Sequence, residues 1–195
     1  MVRIKKEERR SQFLAAALKL FAANGVQGTT TAAISEEAGT AAGTLFLYFP
    51  TKQDLINQLV MHIGRAQSDY IKSCLDPSLS VRETFFAIWQ GSIRWFLENP
   101  DAYLVDQQVR YGGLVDQTIV QESAHLFEYF YSAIQRGNEE RAIKPYPVEI
   151  IGGILYQDIV AILNLIKAKP EKEEQVEYIR AGFEIFWDGV RYVEP

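Results

Sequence analysis

The chain has one cysteine, Cys74, in 195 residues, and only two histidines and two methionines. A single cysteine excludes an internal disulfide framework and any zinc site built from cysteines alone. His62 and His125 are far apart and have no clustered acid or cysteine, so no metal site is expected by spacing. No run of about 18 apolar residues stands out. The start MVRIKKEERR mixes acids with bases and does not read as a signal peptide. The expected location is the cytoplasm, with no membrane partner. Gly-rich phosphate loops and nucleophile–base pairs are also missing, so neither an enzyme nor a cofactor is expected. What is present is ordinary for a globular chain: 48% apolar and 23% charged residues, which excludes disorder. The length suits one domain, or a small module on a larger body, and can bury a core without staples.

The net charge of −5 argues at first against a polyanion partner. The average hides an asymmetry. Residues 1–52 hold Arg3, Lys5, Lys6, Arg9, Arg10, Lys19 and Lys52 against Glu7, Glu8, Glu36 and Glu37, so the head is basic and the remainder strongly acidic. That pattern fits a protein whose head alone meets nucleic acid. Arg9 and Arg10 read equally well as a solvated helix start.

Periodicity is helical nearly throughout, which gives an all-α fold. Phe13, Ala16, Ala17, Leu20 and Phe21 share one face of a first helix, which Asn24-Gly25 stops. A short second helix ends at Gly39, and a third apolar run, Thr44 to Phe49, follows after a few residues. Two short helices joined by a glycine-containing turn read as helix-turn-helix. Thr51 with Asp54, and Ser80 with Glu83, form capping boxes for a fourth and a fifth helix. Asn99-Pro100 opens a sixth, and a seventh runs from about Asp116 to Gly137. An eighth covers roughly Val148 to Lys169, and Pro170 precedes the last, Glu171 to about Val193. The expected division is a three-helix head, 1–52, and a six-helix body, 53–195.

In a helix-turn-helix the second helix enters the DNA major groove while the first crosses the backbone. Thr30 and Thr31 offer hydroxyls and free amides to a phosphate at the crossing helix. Gly43 permits close approach, Thr44 and Tyr48 share a face at i,i+4, and Lys52 brings a cation to a neighbouring phosphate. The stretch resembles the N-terminal domain of the tetracycline-repressor-like (TetR/AcrR) family of transcriptional regulators. The likeness covers residues 9–60 through Ala17-Leu18, Leu20-Phe21, Gly25, Thr29-Thr30, Ile34, Ala38-Gly39, Gly43-Thr44-Leu45, Tyr48-Phe49, Lys52 and Leu55. It implies a homodimer on a palindromic double-stranded DNA operator, a repressor released when a small effector enters the body. Where family members often carry polar residues on the reading segment, this chain has Ala41, Ala42, Phe46 and Leu47. Thymine methyls and groove shape are left to supply specificity.

In the body, the stripe Phe85, Trp89 and Phe96, joined by Phe127, reads as core or as the lining of an apolar effector cavity. His62, beside Leu59 and Ile63 on the apolar stripe, reads as a satisfied core residue or a ligand contact. Asp158 shares a face with Ile151, Ile154, Leu155, Ile162 and Leu165, where an unpaired carboxylate is costly. It is a buried ion pair, a dimer-seam residue or the polar contact of a lipophilic, even cationic, effector. The eighth helix is apolar on more than one side, with Ile150 and Ala161 on a second face. Dimerisation is therefore expected through Ile151, Ile154, Ile162, Phe183, Phe186 and Trp187 of the last two helices. The rival readings are an enzyme and a helix-turn-helix module that does not read DNA.

Overall fold

The fold is given by a computed structural model that describes residues 2–169 and 171–194, with the backbone alone at 2–5, 117 and 120. Pro170, expected as the break before the last helix, and the side chains of Arg3 and Lys5 lie outside the described residues. Among those described, nine α-helices follow one another: α1 Val2–Asn24, α2 Thr31–Glu37, α3 Lys52–Ser73, α4 Val81–Glu98, α5 Pro100–Tyr111, α6 Gln117–Ser123, α7 Glu128–Glu139, α8 Val148–Ile166 and α9 Lys172–Val190. The protein is all-α, with one isolated antiparallel bridge, Ile143 to Arg191, tying the segment before α8 to the end of α9.

The helix boundaries follow local chemistry. Gly25 and Gly39 adopt φ values of +80° and +66°, the left-handed turns that close α1 and α2. Thr51 Oγ1 accepts from Asp54 N at 3.0 Å while Thr51 N donates to the Asp54 carboxylate at 2.9 Å. Ser80 and Glu83 exchange the same pair of bonds ahead of α4. Both capping boxes are formed. Two expected helices differ. The third is a 3-10 turn, Leu45–Leu47, because it is too short to offset the cost of α-nucleation and Pro50 follows it. The seventh splits into α6, a 3-10 turn over Ala124–Phe127, and α7.

The chain packs into two compact units, one of residues 1–66 with 98–126, the other of 67–97 with 127–195. The expected boundary at 52/53 coincides with the start of α3 and lies inside the first unit. That unit's core is Phe13, Ala17, Phe21, Ile34, Leu45, Leu55 and Leu59, with α1 packed against α2 and α5. In the second, α8 packs along α9, and Phe85, Trp89, Phe183, Phe186 and Trp187 interlock. Here α8 departs from expectation: it is long and apolar enough, by length and composition, to cross a membrane. Its inner face is committed to this core, with Ile151, Leu155, Ile159 and Ile166 buried.

The contact between α9 and its neighbours depends on Gly182. A Cβ there would stand 2.6 Å from Ile162 Cδ1 and 3.0 Å from Trp89 Cζ2. Overpacking of a filled core costs about 1–3 kcal/mol. Gly182→Ala should therefore lower the melting temperature by several degrees, read by circular dichroism; an unchanged or raised value would show that this core can yield.

Candidate nucleic-acid interface

The first unit builds its exposed tip on a short loop, residues 25–30, which is held from two sides. The Lys52 ammonium, at the start of α3, donates to the carbonyls of Val26 (2.6 Å) and Thr29 (2.7 Å) and lies 5.8 Å from the Phe21 ring centroid. On the other side Gln108 of α5 accepts from Val26 N at 2.9 Å and donates to the Phe21 carbonyl at 3.1 Å. Thr29, buried, closes the loop by donating to the carbonyls of Gly25 and Leu20. Burial holds the Lys52 ammonium below the ordinary lysine value. The phosphate contact expected of Lys52 is correspondingly limited, since two of its three N–H groups are committed inward, leaving one.

From this loop α2 rises, with Thr30 as its N-cap accepting from Ala33 N at 3.1 Å. Thr30 is exposed and Thr31 half-buried. Ser35, fully buried on α2, donates to the Ala42 carbonyl at 3.1 Å, and its own carbonyl accepts from Thr40 N at 2.9 Å. One buried hydroxyl thus fixes the turn between α2 and the reading segment. Neither Ser35 nor Gln108 stands out in the sequence, because a serine in a short helix and a glutamine on a helix surface are both common.

Ala41, Ala42 and Gly43 are exposed, Thr44 is half-buried, and Phe46 and Leu47 are 46% and 78% exposed. Successive i+3 bonds, Thr44 N to Ala41 O, Leu47 N to Thr44 O and Tyr48 N to Leu45 O, wind this stretch tightly. At three residues per turn, Thr44 aligns with Leu47, not with Tyr48 as α-helical spacing implies. The Tyr48 ring packs instead on Phe13, 5.4 Å between centroids. Arg10 is likewise anchored: it donates to Gln58 Oε1 at 2.7 Å and lies over the Phe49 ring.

The expected body residues do not form one group. His62 belongs to the first unit and is exposed, not on the apolar stripe, since α3 turns Leu59 and Ile63 inward and His62 outward. Partial desolvation, then Arg65 and Arg10, hold its imidazole below the ordinary value. Phe85 and Trp89, in the second unit, are fully buried ring against ring, and the Trp89 indole donates to the Ile179 carbonyl at 2.9 Å. They are core. Phe96 is buried beside Trp95, while Phe127 is half-buried against Tyr129 at 6.2 Å. Burial pushes the Tyr129 hydroxyl well above its usual range, and it is hydrogen-bonded to buried Ser68. Of the expected seam residues, Ile151, Ile162, Phe183, Phe186 and Trp187 are buried within the chain itself; only Ile154, at 47%, is exposed. The apolar face left open is the other one: Ile150 (50%), Ile154 and Leu165 (52%) on α8, and Ile185 (75%) on α9. Asp158 is half-exposed at the edge of that face, has no hydrogen-bond or ion-pair partner among the described residues, and partial burial raises its carboxyl above the ordinary range.

Comparison with known proteins adds to this geometry. Residues 13–59 match the model of bacterial regulatory proteins, tetR family. The chain is 31% identical over 91 residues to the HTH-type transcriptional regulator LuxR of Vibrio harveyi, covering 47% of this chain and 44% of that one. It thus spans less than half the length of that relative. It is 24% identical over 167 residues to the uncharacterised HTH-type transcriptional regulator YhgD of Bacillus subtilis, covering 80% and 83%. Among solved structures, a putative tetR family transcription regulator from Shewanella sp. PV-4 superposes with a TM-score of 0.88 at 26% identity, covering 95% of this chain and 99% of the other.

The clamp on residues 25–30 carries a prediction. Hydrogen bonds to a charged donor contribute about 1.5–3 kcal/mol. Lys52→Met should cost about that much in urea unfolding, and Gln108→Leu, which orphans Val26 N, about 1–3 kcal/mol. A loss below roughly 0.5 kcal/mol for both variants, within the range of ordinary surface changes, would show that the loop holds its shape unaided.

Proposed function

We propose that the chain is a DNA-binding transcriptional regulator of the tetR family, of which two copies occupy a palindromic operator as a repressor and leave it when a small, mainly apolar effector enters the body. The observation that carries the DNA reading is the exposed tip, Ala41 to Leu47, held on a turn fixed by Ser35 and on a loop fixed by Lys52. Thr30, Thr31, Thr44 and the remaining N–H of Lys52 border this tip and supply the phosphate contacts that position it. The protein works in the cytoplasm, where operators are.

Dimerisation is supported by the open face of α8 and α9. Ile150, Ile154, Ala161 and Leu165 recur at helical spacing, and Ala181 and Ile185 do the same on α9, all exposed. A second copy of the chain, laying the same face against it, removes this apolar area from water and sets the two reading tips about 34–36 Å apart, one turn of DNA. Asp158, four residues after Ile154 and three before Ala161, then belongs to the seam and takes a donor from the partner copy. The effector reading is supported by Phe127 and Tyr129, half-buried rings 6.2 Å apart, with the Tyr129 hydroxyl hydrogen-bonded to buried Ser68.

Electrophoretic shift of the DNA upstream of the protein's own gene tests the function. A shift reversed by an apolar compound is expected; no shift with any genomic fragment would leave the helix-turn-helix as a protein-interaction module. The dimer has its own test. Ile154→Asp combined with Ile185→Asp should give monomers in sedimentation at micromolar concentration and weaken operator binding at least about tenfold, a loss of about 1.4 kcal/mol. Helical content should not change, because both side chains are exposed in the single chain. A dimeric double variant would place the interface elsewhere.

A further inference from the structure

We infer that Leu47, flanked by Phe46, reads the 5-methyl group of a thymine, so that each operator half-site carries an A·T pair opposite this side chain. The inference rests on the DNA reading above and concerns what that surface selects. Leu47 is 78% exposed, more than any other large apolar side chain in the described part of the chain. It projects from the one segment of the head whose place in the fold is to enter the major groove. The described residues leave most of it uncovered, and an apolar group so exposed is removed from water only by a partner.

The chemistry of the groove limits that partner. Bases present donors and acceptors in the major groove, and one apolar feature, the thymine methyl. Between Ala41 and Leu47 the sole side chain able to hydrogen-bond is Thr44. The tight winding settles which side chains act together: Leu47 N bonds to Thr44 O, and the two side chains fall on one line at three residues per turn. Thr44, half-buried at the base of this line, brings a hydroxyl and a methyl, and Leu47 extends beyond it. Phe46, 46% exposed, broadens the apolar surface to the side. A guanine or cytosine opposite Leu47 would have its acceptors or amino group desolvated without a replacement bond, which costs more than the methyl gains. The surface therefore selects for thymine and against G·C in the same step.

The test does not require the operator to be identified beforehand. The full-length protein selects its sites from a duplex library with a randomised centre. Within the selected site each thymine is then replaced singly by deoxyuridine, which removes the methyl and nothing else. One position per half-site should respond, with affinity falling about fourfold for each methyl removed, the equivalent of one buried methylene. For Leu47→Ala the ratio of thymine to uracil affinity at that position should fall to near one. That variant should melt as the parent does, because the side chain is exposed. Replacing the responsive pair by G·C should weaken the parent more than it weakens Leu47→Ala. If no deoxyuridine substitution matters, or if the ratio survives in Leu47→Ala, the assignment is wrong while the DNA reading stands. If the library yields no enriched sequence, the DNA reading fails and this inference with it.

Discussion

The architecture of the head rests on how the loop between α1 and α2 satisfies its own backbone. Gly25 reverses the chain in a left-handed conformation, and the next five residues form no regular helix or strand that would pair all their backbone groups. Their polar groups lie against the core, where an unpaired carbonyl or amide costs several times what a made bond returns. The Lys52 ammonium takes two carbonyls, the Gln108 amide takes one donor and one acceptor, and the single Thr29 hydroxyl proton is shared between the carbonyls of Gly25 and Leu20. Three side chains from α3, α5 and the loop itself thereby set the angle at which α2 leaves, and α2 carries the turn that presents residues 41–47. A lysine that counts in the sequence as positive charge for DNA is, in the fold, first a backbone ligand.

That arrangement explains how so weak a helix can hold an exposed surface in place. Three residues of 3-10 helix have no stability of their own. Leu45 anchors them by full burial, Ser35 holds the preceding turn through the Ala42 carbonyl, and Tyr48 is pinned on Phe13. With the segment anchored on both sides, Leu47 is left projecting from a rigid base. The rigidity matters for selection. An exposed leucine on a mobile loop would lose in ordering what it gains from a methyl, whereas here the ordering is already done by the fold.

Much of this was legible in the sequence, and the parts that were not share a cause. Capping boxes at Thr51 and Ser80 and the stops at Gly25 and Gly39 are local, and each formed as read, whereas the second helix of the helix-turn-helix is a 3-10 turn. What periodicity gives is the face on which a residue lies, not what meets that face. Phe85 and Trp89 carry the right residues for a cavity wall, but Phe183, Phe186 and Trp187 arrive from a helix far along the chain and fill the space. His62 falls between two core positions in sequence and turns outward because the helix advances it past them. Gln108 gave no signal at all, since its partners are carbonyl and amide groups that every sequence has.

The eighth helix shows the same limit most sharply. Apolar residues around most of its circumference require burial on two sides, and that requirement was readable. Which side faces the chain's own core was not. On the buried side the missing side chain of Gly182 in α9 leaves room for Ile162 and Trp89, and Ile151, Leu155 and Ile166 are buried as well. Once those positions are committed, Ile150, Ile154 and Leu165 are turned to the opposite side by geometry alone. Asp158 then falls at the border between the two faces, where a carboxylate stays partly hydrated in the single chain and need not find a partner to fold. A charge at that border, not in the core, is compatible with both a stable protomer and a face that a second copy can cover.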